Sequence, residues 1–234
     1  MPYYLQPIVS AASIVAACAI VQPHRESKKR SMCGRPIIEA LRRMLVSRRD
    51  IRYLLMFYSV QQAHLLLCVW VLQSRMALAG VPTWMYSLAY AGWASITSAS
   101  TKVAQEASYK TSIVARKLII VVPAVGTFVS GVVTGVLGLV ALMVGLLVTT
   151  IYSEHMFEAY LFEKLPKDDL TRNTELSIGA AAWQLVFAVF APFFGMLVDS
   201  ASLEIALIVL SCTSFVCGEA VTLYGRDSDS ESRP

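Results

Sequence analysis

Leu118–Tyr152 reads LIIVVPAVGTFVSGVVTGVLGLVALMVGLLVTTIY, 35 residues without one charged side chain. As a single helix at ~1.5 Å per residue it would run about 52 Å, well beyond the ~30 Å hydrocarbon core of a bilayer. Two shorter helices joined by a tight reversal fit that thickness. The reversal is expected at Gly131 and Gly135, because glycine accepts the backbone angles a sharp turn demands. Repeated crossing of lipid leaves only helices, since each backbone amide must find its partner inside its own segment.

The whole chain reads as seven apolar segments: Tyr3–Val21, Tyr53–Leu72, Val81–Thr101, Leu118–Gly131, Gly135–Tyr152, Ile178–Leu197 and Ile205–Tyr224. The expected fold class is therefore all-α, a polytopic transmembrane helical bundle with seven spans. Short alternating strands, the mark of a membrane β-barrel, are not present in the sequence. Composition agrees. The 234 residues are 56% hydrophobic and only 15% charged, with a mean hydropathy of +0.58. Soluble domains carry roughly 25% charge, so this chain lacks the polar side chains to cover a water-facing surface.

Charge placement sets the expected orientation. Ten of the 20 Lys and Arg residues fall between His24 and Arg52, which makes that loop cytoplasmic by the positive-inside rule. Counting onward, Gln73–Gly80 lies outside with only Arg75. Lys102–Lys117 returns inside with Lys102, Lys110, Arg116 and Lys117. Two crossings in the middle bring Ser153–Glu175 inside as well, and Asp199–Ala201 outside with no basic residue. The expected organisation is a first helix over 1–22, a basic cytoplasmic linker over 23–52, a six-helix half-bundle over 53–225 and a disordered cytoplasmic tail over 226–234. The localisation that follows is integral to a plasma (inner) membrane. Met1–Val21 has its basic flank after the apolar stretch, which fits a spanning helix and not a cleaved leader. In the linker, Pro36–Val46 places Ile37, Leu41 and Leu45 at helical spacing beside Arg42 and Arg43. This reads either as a surface helix or as a basic linker that fixes topology. Basic residues placed this way point to lipid and not to nucleic acid.

Polar groups inside apolar segments are costly unless they face a partner or water. The second segment has the densest set, with Tyr58, Gln61, Gln62 and His64. At ~100° per residue, Phe57, Gln61, His64 and Cys68 share one narrow face. Two readings fit: the lining of a substrate or proton path, with His64 as the titratable member, or hydrogen bonding between helices with His64 neutral. The third segment repeats the pattern with Tyr86, Tyr90, Trp93 and Thr97, either a ligand-binding stripe or aromatic anchoring. Trp183 and Gln184 lie together in the sixth segment, where Pro192 is expected to bend the helix. Glu219, in the last segment, is read as structural. Glu154, His155 and Glu158 share a helix face but form a weak metal signal, and no cofactor is expected. The five cysteines make no CxxC pair, so neither a disulfide framework nor a metal site is expected. No HExxH, GxSxG, GxxxxGKS or GxGxxG pattern supports an enzyme.

One stretch carries a resemblance. Tyr160–Asp199 reads YLFEKLPKDDLTRNTELSIGAAAWQLVFAVFAPFFGMLVD and resembles the eleventh-helix region of the major facilitator superfamily, with a Leu-Pro pair, Arg-x-Thr, a small residue, Pro, and Gly-x-x-x-Asp. The matching residues are Leu165, Pro166, Arg172, Thr174, Ser177, Pro192, Gly195 and Asp199. IYSEHMFEAYL (151–161) is similar to the junction after the tenth helix, and the basic linker is similar to the family's loop between halves. STKVAQEASYK (100–110) lacks the family's Gly-x-x-x-Asp-Arg signature. The resemblance implies the C-terminal half of a secondary transporter preceded by the sixth helix, moving a small-molecule substrate between two rocking halves. It also implies a partner, either an N-terminal half or a second copy, without which one half does not transport. The alternative from a different class is a non-transporting membrane scaffold or assembly protein.

Overall fold

The computed structural model describes the backbone of residues 42, 49–108, 113–164 and 169–231, and the side chains of 42, 51–100, 117–153 and 177–223. These residues fold into six helices: α1 Arg49–Leu78, α2 Trp84–Ser108, α3 Ile113–Val132, α4 Val136–Lys164, α5 Asp169–Ser200 and α6 Leu203–Glu231. Among the described residues there is no strand. All six belong to one compact unit, Arg35–Pro234. The other unit, Met1–Gly34, contains the expected first helix and lies outside the described residues, as does Pro36–Val46 apart from Arg42, which is helical and exposed.

The six remaining apolar segments each correspond to one helix. Four helices are long and apolar enough to cross a membrane: Ile51–Leu78, Val136–Ser153, Ser177–Ser200 and Leu203–Leu223. A fifth apolar stretch, Lys117–Val132, is shorter. α2 falls short because Ser87, Ser95, Thr97, Ser98 and Ser100 dilute its apolar residues. α6 runs on to Glu231, into the polar tail expected to be disordered. Once started, a helix gains one backbone bond per added residue, so it need not stop where its apolar stretch stops.

The long uncharged stretch does break into two helices, at Val133–Gly135. Gly135 takes a φ of 85°, a value that costs glycine nothing and other residues a Cβ clash. Gly131 plays a different part from the expected one. It lies inside α3, and a Cβ there would come within 2.7 Å of Ile208 on α6. Its value is close approach, not reversal. The end of α1 is also set by glycine. Gly80 has a φ of 73°, its N–H donates to the Ala77 carbonyl and the Val81 N–H donates to that of Met76, each at 3.0 Å. This is the six-to-one and five-to-two pairing of a Schellman end, with Val81 packed into the same apolar cluster as Met76. Ser202 starts α6, its hydroxyl accepting from the Ile205 N–H at 3.3 Å, and Glu204 in the first turn suits the positive end of the helix.

Residue pairs give the relative directions. Gly145 packs on Pro123 and Gly126 on Ala141, so α3 and α4 run antiparallel. His64 meets Ser214 while Arg75 meets Glu204, so α1 and α6 are antiparallel too. His64 meets Thr127 while Arg75 meets Ser130, so α1 and α3 are parallel. Helix direction thus alternates along the chain. α1 is the central element, packed against α4, α5 and α6, while α2 leans on α4.

Two apolar layers result. One gathers Ile51, Leu54, Phe57, Ile119, Ile120 and Val221, with Trp183 against it. The other gathers Leu67, Leu72, Met76, Leu139, Leu142 and Leu146. Glycines let the backbones between them approach, as small residues do where lipid offers no hydrophobic drive to association. A Gly131→Val or Gly145→Val change is expected to lower unfolding stability by about 1–3 kcal/mol through overpacking. Gly195 faces open space, so Gly195→Ala is expected to leave the thermal midpoint unchanged or slightly raised. Thermal unfolding of the three purified variants in one detergent checks the contrast.

Candidate functional site

The middle of α1 is buried and polar. Ser59, Gln61, Gln62 and His64 are each under a tenth exposed, and Gln61 and His64 share the face that also turns Phe57 and Cys68 inward. An unpaired polar group in an apolar interior costs the desolvation energy of that group. Ser59 donates to the Leu55 carbonyl of its own helix, and α3, α4 and α6 supply partners for Gln62 and His64. Gln62 Nε2 donates to Ser153 Oγ on α4 at 3.0 Å. Ser153 in turn donates to the Thr149 carbonyl at 2.6 Å. On the far side, Ser211 of α6 donates to the Ala124 carbonyl of α3 at 2.6 Å.

His64 is the hub. Its Nδ1 lies 2.5 Å from Ser214 Oγ on α6, and its Nε2 lies 3.0 Å from Thr127 Oγ1 on α3. Cys68 Sγ is 3.5 Å from the same Nε2 and 3.6 Å from Thr127 Oγ1. A neutral imidazole donates through one nitrogen and accepts through the other, and a hydroxyl can do either. The ring therefore ties three helices together in either tautomer.

A partly open cleft adjoins His64, lined from α1, α5 and α6. Val60, Ala63 and Leu67 form its α1 wall, Val186 and Phe190 its α5 wall, and Leu210 and Cys217 part of its α6 wall. His64, Thr213 and Ser214 are its polar members. Among the described residues no group of three or more His, Cys, Asp or Glu could hold a metal ion. The arrangement can position a small molecule by packing and one or two hydrogen bonds. Ser214 and Cys68 each lie beside the imidazole, whose two ring nitrogens are both engaged by hydroxyls.

The other expected site residues fall in several places. Tyr86, Tyr90 and Trp93 are half-buried on α2, with Tyr86 and Tyr90 packed against the second apolar layer. The Tyr90 hydroxyl donates to the Val69 carbonyl at 3.4 Å, and its ring lies 6.3 Å from that of Trp93. The Trp93 Nε1–H is buried with no partner among the described residues. None of these lines the cleft. Trp183 is half-buried, whereas Gln184, Pro192, Gly195 and Asp199 are exposed on α5. Ser177 is exposed at the first described side chain of that helix. Leu165 and Pro166 lie outside the described residues, and Arg172 and Thr174 are described only as helical backbone.

One residue was missed. Arg75, read as the lone basic residue of an outer loop, is among the most buried side chains, 1% exposed. Its Nη2 donates to the Val133 carbonyl at 2.6 Å, its Nε to Ser130 Oγ at 3.1 Å and its Nη1 to Glu204 Oε1 at 3.5 Å. It thus clasps the ends of α1, α3 and α6 and the α3–α4 turn. The signal was available: Arg75 and Glu204 are opposite charges at helix ends that an alternating topology brings together. The hydroxyl partners of His64 were also passed over. They sit three residues from a second hydroxyl, as Thr127 and Ser130 on α3 and Ser211 and Ser214 on α6, which puts each pair on one helix face.

Fold and site together define a polytopic α-helical bundle of membrane-spanning character, its central helix polar at mid-length. No protein-family model matches the chain, and no curated protein or solved structure is detectably similar to it.

Two outcomes are expected from the buried polar contacts. Removing the Arg75 guanidinium strands three acceptors, so Arg75→Ala is expected to cost about 2–4 kcal/mol, whereas Glu204→Gln keeps a polar partner at a half-exposed site and should cost less than about 1 kcal/mol. Denaturation of both variants in mixed micelles separates the two. For the hub, a His64→Ala, Ser214→Ala double-mutant cycle should show a coupling of about 0.5–1.5 kcal/mol. A coupling near zero in the same denaturation assay would mean the contact adds no stability.

Proposed function

We propose that this chain forms one six-helix half of a membrane carrier for a small solute, with its substrate path along α1. The observation that carries the reading is the partly open cleft beside His64, since carriers place substrate near the bilayer midplane at the interface between half-bundles. Three features support it. Helix direction alternates through all six elements. The polar groups concentrate at the middle of the central helix. The outer faces of α2 and α5 expose large side chains such as Trp84, Leu88, Leu185 and Phe193, surfaces that a second half-bundle and lipid would share. The resemblance of Tyr160–Asp199 to the major facilitator superfamily fits this proposal and adds the expectation of a second half, either elsewhere in a longer protein, on a separate chain or from a second copy. Under the positive-inside rule the Arg75–Glu204 end faces away from the cytoplasm.

A second reading has its own support. Both ring nitrogens of His64 are already engaged by hydroxyls, as they would be if the belt served only to hold helices together in a membrane scaffold. Gln184 separates the two readings, being an exposed amide near the middle of Ser177–Ser200. In a carrier it faces a water-filled path, and in a scaffold it faces lipid or protein. With the native cysteines replaced by serine, a Gln184→Cys variant in intact membranes is expected to react with a charged, membrane-impermeant methanethiosulfonate. No reaction from either side would favour the scaffold.

A further inference from the structure

The cleft beside His64 lies at one level on three helices. His64 is central in Ile51–Leu78, Thr213 and Ser214 are central in Leu203–Leu223, and Val186 and Phe190 bracket the centre of Ser177–Ser200. The cleft is partly open, with Phe190 42% exposed at its edge, so a bound molecule need not be fully enclosed by it. No carboxylate, lysine or arginine lines it, so a charged solute would lose its hydration there without a counter-charge. A sugar or other polyhydroxylated solute would meet the same deficit, because most of the wall is aliphatic or aromatic. Yet the cleft is not purely apolar. Ser214, bonded to His64 Nδ1, keeps either its proton or a lone pair for a third group, since a hydroxyl has one donor and two acceptor sites. The Thr213 hydroxyl beside it has no hydrogen-bond partner among the described residues. A lipid tail entering the cleft would leave both unanswered.

We infer that this cleft binds a neutral, largely apolar small molecule carrying one hydrogen-bonding group, of the aryl ketone or hydrophobic alcohol class, and excludes ions and sugars. Its apolar body packs between Phe190, Leu67 and Leu210, and its single polar group meets Ser214 or Thr213. The inference names a substrate class for the proposed carrier and rests on that reading for its biological use. Binding itself is read without flux.

Benzophenone suits the test, being neutral, apolar, photoreactive and equipped with one carbonyl acceptor. The full chain in phosphatidylcholine vesicles is photolabelled over a range of probe concentrations, and the adducts are mapped by mass spectrometry. Labelling at Phe190, Leu210 and Cys217 is expected to saturate and to fall with excess diphenylmethanol, but not with the diphenylmethylammonium ion. Ser214→Ala should weaken the apparent affinity roughly five- to tenfold, the equivalent of one hydrogen bond. Leu210→Trp should abolish saturable labelling by filling the cleft. Thr213→Leu, at a half-exposed position, does the same with less risk to folding. Labelling that rises linearly and resists competition would overturn the inference, placing the probe in lipid and acyl chains in the cleft. Equal displacement by the ammonium ion would overturn the solute class. Saturable labelling together with an unreactive position 184 upholds the site and faults the carrier reading alone.

Discussion

Everything in this bundle depends on finding hydrogen-bond partners for the polar side chains of α1. Ser59, Gln61, Gln62 and His64 interrupt the apolar run Tyr53–Leu72 of α1, and Arg75 lies near its end. In an environment without water, each unpaired group costs on the order of 1–3 kcal/mol or more. Turned outward, they would meet lipid. Turned inward, they need neighbours on more than one side, because Gln62 reaches α4 while His64 and Arg75 reach α3 and α6. α1 therefore occupies the centre, and α3, α4 and α6 are arranged around it by the hydroxyls and carbonyls they can offer.

That arrangement requires short distances between backbones, and glycine makes them available. Gly126 and Gly145 bring α3 and α4 together, and Gly131 and Gly218 bring α3 and α6 together. With the helices held close, hydroxyls as short as serine reach their targets, as Ser211 does on Ala124 and Ser214 on His64. The apolar layers above and below the polar belt then exclude competing solvent. Packing and polar satisfaction are one device here, since widening any of these contacts would strand a donor as well as open a void.

The same device limits what the site can do chemically. Because the Ser214 hydroxyl is committed to fixing helices, only its residual donor or acceptor and the Thr213 hydroxyl remain for a ligand, and no carboxylate, lysine or arginine faces it. Such a site holds a solute mainly by shape and apolar contact. The Arg75 clasp lies near one end of the bundle, separate from the cleft, and joins four chain segments where they turn back. A carrier and a scaffold would both use that clasp, but only a carrier would need the cleft.

Much of this was legible along the chain. The uncharged Leu118–Tyr152 stretch dictated two helices, because no bilayer accommodates one of that length. The inward orientation of Phe57, Gln61, His64 and Cys68 followed from helical spacing alone, since one narrow face collected them. What periodicity cannot supply is the partner. Thr127, Ser130 and Ser214 are ordinary hydroxyls in apolar segments, and nothing local distinguishes one that meets His64 from one that bonds its own backbone, as Thr149 and Thr222 do. Gly131 was equally ambiguous, because a glycine that reverses a chain and one that admits a neighbouring helix look alike in a string of letters. Arg75 changed most, from a topology marker to a buried clasp. Its surroundings are set by residues 55 to 129 positions away, so sequence determined which groups had to be buried and satisfied, while only the tertiary structure decided by whom.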